Sequence, residues 1–168
     1  DKYSLSANGY YMYYHDQLVP TGELSSTGYT IMTNVPRSYR LGIELTAGLK
    51  PFSFLDWNFT VTLSRNKITD FISYYTDYDT VTWEGSYKSR NLGTVDIAYS
   101  PSVTGSSDIN LKLPGDIEVH FISKLVGRQY FDNTMSPDRM LNSYFVNNLR
   151  ITWEPRVKKL KGLDFQLL

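Results

Sequence analysis

The side chains with the richest chemistry gather between positions 71 and 91. That segment holds Tyr74, Tyr75, Tyr78, Trp83 and Tyr87, interleaved with Asp77, Asp79, Glu84, Lys88 and Arg90. Aromatic faces beside charged groups suit the capture of an aromatic or sugar-like ligand. The same rings suit packing against neighbouring loops equally well. These five aromatic residues are the candidate ligand-binding set. Other constellations carry less. Asp77-Tyr78-Asp79 offers two carboxylates but lacks the glycine and ligand ladder of a calcium loop, so it reads as solvated loop. His15 and His120 lie far apart, and no metal site is expected. Asn58-Phe59-Thr60 matches a glycosylation sequon only by pattern, because Asn58 sits within a strand. The basic run Arg156, Lys158, Lys159 and Lys161 has no interleaved aromatic, so it reads as a solvated turn beside lipid head groups, not a nucleic-acid surface. There is no GxSxG elbow, no phosphate-cradling glycine loop and no catalytic set. The chain is expected to be no enzyme and to need no cofactor.

Composition narrows the classes. The 168 residues amount to about one domain. Lys and Arg number 17, as do Asp and Glu, so no net charge draws the chain to nucleic acid. Cysteine is absent, which excludes disulfides and thiolate metal sites. Aromatic residues make up 15%, too many for a disordered chain, yet mean hydropathy is −0.34. No apolar run is long enough for a transmembrane helix, but a membrane-spanning β-strand needs only about ten residues with alternate apolar side chains.

Period two runs along most of the chain. Over positions 38–50, Tyr39, Leu41, Ile43, Leu45, Ala47 and Leu49 alternate with Arg40, Gly42, Glu44, Thr46 and Gly48. Helical spacing fails here. Trp57, Phe59, Val61 and Leu63 follow the same rule, as do Ile109, Leu111 and Leu113, then Ile117, Val119 and Phe121, then Leu149, Ile151 and Trp153. Tyr3, Leu5, Ala7, Tyr11 and Tyr13 open the pattern, and Leu163, Phe165 and Leu167 begin a last strand. Positions 95–113 read as one long strand interrupted near Pro101, with Val95, Ile97 and Tyr99 on one face. The expectation is about seven antiparallel strands and no helix. The last strand stops in mid-pattern, which reads as part of something longer.

Connection lengths alternate. Residues 18–29, 71–91 and 131–141 read as long polar loops; 50–56, 113–116 and 155–162 read as short turns. In an up-and-down sheet this sends every long loop to one edge, the habit of outer-membrane barrels and not of soluble sandwiches. The even face carries Arg40, Glu44, Glu118 and Arg150, expected to face a lumen; the odd face is nearly free of charge, as lipid contact requires. Arg65 and Lys67 are expected close to the outer interface. Phe52, Phe54, Trp57, Tyr99 and Trp153 are expected in an aromatic belt on the short-turn side, and Tyr11, Tyr13, Tyr74, Tyr130 and Phe131 in one on the long-loop side.

Three stretches carry a family resemblance. Asn34-Val-Pro-Arg-Ser-Tyr-Arg-Leu-Gly-Ile-Glu-Leu45, with Lys50-Pro51, Leu55-Asp-Trp-Asn58 and Leu63-Ser-Arg-Asn-Lys-Ile-Thr-Asp-Phe71, is the first. Lys124-Leu-Val-Gly-Arg-Gln-Tyr-Phe-Asp-Asn-Thr134 and Arg139-Met-Leu-Asn-Ser-Tyr-Phe-Val-Asn-Asn-Leu-Arg150 form the second, and Gly162-Leu-Asp-Phe-Gln-Leu-Leu168 the third. In order and spacing they resemble the late barrel of TonB-dependent outer-membrane receptors. That resemblance implies an all-β, antiparallel up-and-down transmembrane barrel of 22 strands around a plug. This chain would supply the C-terminal portion of the barrel, without the plug and final strand. It also implies TonB-driven uptake of an iron–siderophore, haem, cobalamin or glycan in a Gram-negative outer membrane. The implied partners are outer-membrane lipid, the TonB complex through the plug, and a small-molecule or glycan ligand. A soluble β-domain binding glycan through the aromatic segment, and a complete small outer-membrane barrel, are the alternatives.

Overall fold

The computed structural model describes residues 2–155 and 165–167. Antiparallel strands β1 (Tyr3–Leu24), β2 (Thr30–Phe52), β3 (Leu55–Tyr78), β4 (Gly85–Asp96), β5 (Val103–Leu113) and β6 (Ile117–Val126) come first. Two short strands, β7 (Gln129–Tyr130) and β8 (Met140–Leu141), pair with each other and flank a single 3-10 turn at Pro137–Arg139. β9 (Tyr144–Trp153) and β10 (Phe165–Leu167) complete the order. The main sheet runs β1-β2-β3-β5-β6-β9-β10, with β4 beside the outer half of β3. Among the described residues no ladder joins β1 to β10, so the sheet is an open arc. The seven-strand path agrees with the periodicity.

Register keeps the two faces in phase from strand to strand. Trp57 lies between Leu49 and Ile109; Ile109 meets Phe121, and Phe121 meets Leu149. Leu55, Leu111, Val119, Ile151 and Leu167 form a parallel row. Through the centres of β1, β2, β3, β5, β6 and β9 the odd residues therefore build one largely apolar face, crossed by a polar row at Ser107, Ser123 and Asn147, because a pleated strand sends alternate side chains to opposite sides. The opposite face joins Asn8 to Glu44, Glu44 to Thr62, and Asn110 to His120. Short turns at 53–54 and 114–116 close one end; hairpins through 25–29, 79–84 and 127–143 occupy the other. The connection between β9 and β10, with Arg156, Lys158, Lys159 and Lys161, lies outside the described residues.

Three sequence expectations need correction. Residues 18–29 and 71–91 are not long loops. β1 and β2 continue as a hairpin to the turn at 25–29, and β3 and β4 to the turn at 79–84. Tyr, Ser and Thr are adequate strand formers even where polarity masks the apolar alternation. β3 alone has 24 residues, about 80 Å at about 3.3 Å each. Positions 95–113 are two strands, and the first begins at Gly85. The interruption expected near Pro101 is present. Both strands pair with β3, β4 with its outer part and β5 with its inner part.

The alternation also changes phase at the hairpin end. Asp16, Asp70 and Gly93 adopt φ of 51°, 57° and 68°, a left-handed conformation that Asp and Gly tolerate. Below Asp16 the even residues belong to the polar face. Above it Val19 and Thr21 are buried, and the Ser38 hydroxyl donates to Gln17 Oε1. Around Asp70, burial passes from Asn66 and Ile68 to Phe71. The phase change turns Val19, Val35, Ile68, Phe71, Val95 and Ile97 into one apolar cluster, against which Leu92 and Met135 pack. This core lies at the outer end, not in the strand centres. Replacing Phe71, 1% exposed, by Ala is expected to cost about 3–5 kcal/mol locally. Hydrogen exchange on the full-length protein should show it as faster exchange at Val19, Val35 and Val95, with the ladder near Trp57 unchanged.

Candidate functional site

The outer end is organised by the segment from 131 to 139, which folds back over the core. Asn133 is completely buried. Its side-chain Oδ1 accepts from the Ala98 amide at 2.7 Å, and its Nδ2 donates to the Pro20 carbonyl at 2.6 Å. One side chain thus ties the β1 hairpin to the β4–β5 junction, satisfying groups that burial would otherwise leave unpaired. Asp132 accepts from Arg139 Nη1 at 2.7 Å and from the Thr134 amide and hydroxyl at 2.8 and 2.6 Å. Arg139 also donates to the Gly22 carbonyl at 2.5 Å. Gly22 has φ of +93°, and a Cβ there would come within 3.0 Å of Thr134 Cγ2. Burial opposes ionisation of Asp132, but hydrogen bonds from Arg139 and Thr134 and the Arg139 charge outweigh it, holding the carboxyl below its ordinary 3.8.

A cleft of about 740 Å³ opens where the two hairpins and this segment meet. Its walls include Glu23, Tyr74, Tyr75, Arg90, Ser136 and Arg139. Of the five aromatic candidates, Tyr74 and Tyr75 line the cleft. Tyr87 stacks on Tyr74, ring centroids 5.6 Å apart and planes 6° from parallel. Tyr78 and Trp83 lie at the far tip of the hairpin, Trp83 77% exposed with φ of 59°. Lys88 pairs with Asp77 at 2.5 Å. Asp79 accepts from the Val81 and Thr82 amides at 2.8 and 2.9 Å, which closes the turn and holds its carboxyl below the ordinary value. Arg139, Glu23 and Ser136 were not singled out by the sequence. Their signal is tertiary, since Arg139 meets Gly22 across 117 positions.

The four polar-face candidates are spread along the wall. Arg40 Nη1 donates to Ser100 Oγ at 2.9 Å, and Glu44 accepts from Asn8 at 3.4 Å. Glu118 accepts from Asn110 at 3.2 Å. Arg150 stands opposite His120 in the ladder, and its buried Nε has no hydrogen-bond partner among the described residues. His120 Nδ1 lies 2.9 Å from Asp108. Tyr99 departs from its expected place. It belongs to the hairpin end, where its amide donates to the Tyr130 carbonyl at 2.9 Å and its ring lies 6.3 Å from Phe131. The reason is its φ of 53°, which breaks the alternation just after Ile97 and Ala98 are both buried. Tyr74 belongs to the hairpin stack, so the outer aromatic row is Tyr11, Tyr13, Tyr39 and His15. Tyr11 stacks on Tyr39 at 6.4 Å, and Tyr13 meets His15 edge-on at 4.9 Å.

An antiparallel arc with one apolar and one polar face, short turns at one end and tall hairpins at the other, is a section of β-barrel wall. The family model for the TonB dependent receptor-like β-barrel matches residues 1–167, and the chain belongs to that family. A solved structure of the ferric enterobactin receptor of Pseudomonas aeruginosa, a point mutant, is similar in fold: 16% identity, TM-score 0.55, covering 92% of this chain. The chain spans 22% of that protein's length. A comparison with curated protein sequences finds no match.

The segment over the core is predicted to be acid-sensitive with a definite sign. Because the Asp132 carboxyl is held below 3.8 in the fold, its contribution is present above that value and lost as pH falls through the lowered one. A fluorophore at Ser136 in the full-length protein should report a closed segment at neutral pH and at 3.8, opening only on stronger acidification. Asp132→Asn should show the open signal already at neutral pH.

Proposed function

We propose that this chain is a C-terminal portion of the barrel of a TonB-dependent outer-membrane transporter, which takes up a scarce ligand in a Gram-negative bacterium. The observation that carries the reading is the predominantly apolar face, crossed by one hydrogen-bonded polar row at Ser107, Ser123 and Asn147 and bounded by aromatic rows. Phe52 with Phe54, Trp57 with Phe59, and Trp153 with Phe165 form ring pairs toward the short turns. Tyr11 with Tyr39 and Tyr13 with His15 form the outer row. Trp57 and the Lys67–Tyr39 pair are ten residues apart along β3, about 33 Å. At a tilt near 40° that is about 25 Å of height, the thickness of the apolar band of such barrels.

In this placement the polar face, with Arg40, Glu44, Glu118 and Arg150, lines the lumen against the plug, through which TonB acts. The hairpin end is extracellular. Ligand meets Tyr78, Trp83 and Tyr87 on the outer hairpin, then Tyr74, Tyr75 and Arg90 in the cleft. A cleft with stacked tyrosines and an arginine, Arg90, outside any ion pair among the described residues suits a planar or aromatic, anionic ligand. Among iron–siderophores, haem, cobalamin and glycans, that favours the first two.

Membrane placement and transport are each tested in the full-length receptor. Spin labels at Leu41 and Leu45 in reconstituted bilayers should report apolar contact, while one at Glu44 stays accessible to water; water access at the first two sinks the membrane placement. Val61→Arg on the same face should cost about 2–4 kcal/mol of folding stability in vesicles and Thr62→Arg far less. For transport, cells carrying the receptor are offered radioiron-loaded catecholate siderophore, haem, cobalamin and an oligosaccharide. One of the four should accumulate only with an intact TonB system. Tyr74→Ala with Tyr75→Ala should weaken its binding by about tenfold.

A further inference from the structure

One row of the apolar face is not apolar. Phe59 pairs with Ser107, Ser107 with Ser123, and Ser123 with Asn147. Parity puts these three polar side chains on the same side as Trp57, Ile109, Phe121, Phe145 and Leu149. Part of their demand is met within the sheet. Trp57 Nε1 donates to Ser107 Oγ at 2.9 Å, and Ser123 Oγ donates to Asn147 Oδ1 at 2.7 Å. The second bond orients the amide. Its oxygen is turned toward β6, and its Nδ2 is left with two N–H groups for which the described residues supply no acceptor. Asn147 itself is exposed.

In the membrane placement proposed above, on which this inference rests, the row lies inside the hydrocarbon. Asn147 stands six residues above Trp153 on β9, about 20 Å along the strand and about 15 Å in height at a tilt near 40°. Phe59 stands two residues above Trp57 on β3, about 5 Å in height. The row therefore climbs about 10 Å from β3 to β9. Three inter-strand steps of about 4.8 Å at the same tilt give about 9 Å, so the two tryptophans define one frame. In an apolar band about 25 Å tall, the amide sits well below the outer edge. Hydrocarbon offers its N–H groups no acceptor, and a polar group left unpaired there is costly.

We propose that this row is the centre of a two-fold interface between two copies of the receptor, paired through Asn147. A carboxamide carries both donor and acceptor, so it completes itself against an identical group. Each Nδ2 donates to the Oδ1 of the other copy, whose second lone pair is free for it. Two copies with one membrane orientation are related by an axis along the membrane normal. Residues on that axis meet their own copies at equal depth, as an isologous interface requires. A different membrane protein would need an acceptor at this depth by coincidence; a second copy carries it by symmetry. The tilt and spacing above place Phe121 close to the same axis, about 8 Å lower, and bring Leu149 of each copy over Ser123 of the other. The small Ser123 side chain leaves a depression there that a leucine fills. Small residues at the closest approach and polar side chains bonded across it are the means by which segments associate in lipid. The polar site is incomplete in one copy, and the second contributes the missing acceptor.

The test uses the full-length receptor reconstituted at low density in bilayers, with dimers counted by single-molecule photobleaching. The unmodified receptor should dimerise. Asn147→Leu should weaken the dimer about tenfold, and Asn147→Gln less, because it keeps the amide on a longer arm. Ser123→Phe, which fills the depression, should also weaken it. The 168 residues contain no cysteine. With any cysteine elsewhere in the receptor replaced, Asn147→Cys should cross-link to its own copy on oxidation, and Val61→Cys on the same face should not. A monomeric unmodified receptor, or a dimer unaffected by Asn147→Leu, overturns the proposal. Equal cross-linking of the two cysteine variants also overturns it, since that is random collision. If Asn147→Leu does not fold, the cysteine pair decides by itself. The labels at Leu41 and Leu45 read membrane placement independently, so labels in apolar contact on a monomeric receptor sink this interface alone.

Discussion

A strand that crosses an apolar medium must satisfy every backbone N–H and C=O within the sheet, because nothing outside can. The long antiparallel ladders of β1, β2 and β3 meet that demand with almost no slippage, from Tyr3–Leu49 through Gln17–Val35 and from Arg37–Thr69 to Leu49–Trp57. Once the ladder is continuous, parity alone decides where each side chain goes. Leu41, Ile43 and Leu45 stand on one side with Leu63 and Val61; Glu44 and Thr62 stand on the other. A one-residue slip would exchange the two faces, so the apolar surface and the polar wall depend on the same hydrogen bonds.

The hairpin end works by suspending that rule. Left-handed residues at Asp16, Asp70, Gly93 and Tyr99 change the phase or break it. Side chains that strict alternation would send outward are gathered inward around Phe71. Asn133 and Asp132 then hold the 131–139 segment onto this core with charge-assisted and fully buried hydrogen bonds. The cleft and the inward course of 98–100 are two consequences of one departure from the ladder. An arc that is simple through its middle thus carries its ligand cleft where the simplicity stops.

Much of this was legible in the sequence because period two is a local signal. The apolar faces of 38–50 and 57–63, the sorting of connections to two ends and the break near Pro101 all follow from neighbouring residue types. The hairpins were less legible. Residues 71–78 and 85–91 are rich in Tyr, Ser and charge, and polar residues on both faces hide an alternation that backbone pairing does not need. Tyr99 was misplaced because counting by twos cannot foresee a positive φ at a tyrosine. The five aromatic candidates were found as a group, but which of them face the cleft depended on the register of Tyr74 against Ser89 and Thr76 against Tyr87.

By itself the sequence determined an antiparallel all-β wall with a greasy side, a polar side and unequal ends. Those features depend only on residues two positions apart and on the turns between them. Tertiary structure alone decided that Asn133 reaches Pro20 and Ala98 and that Arg139 reaches Gly22. Those contacts join residues from about thirty to more than a hundred positions apart. Their existence depends on how far strands are staggered and where the ladder opens, quantities that no local pattern records.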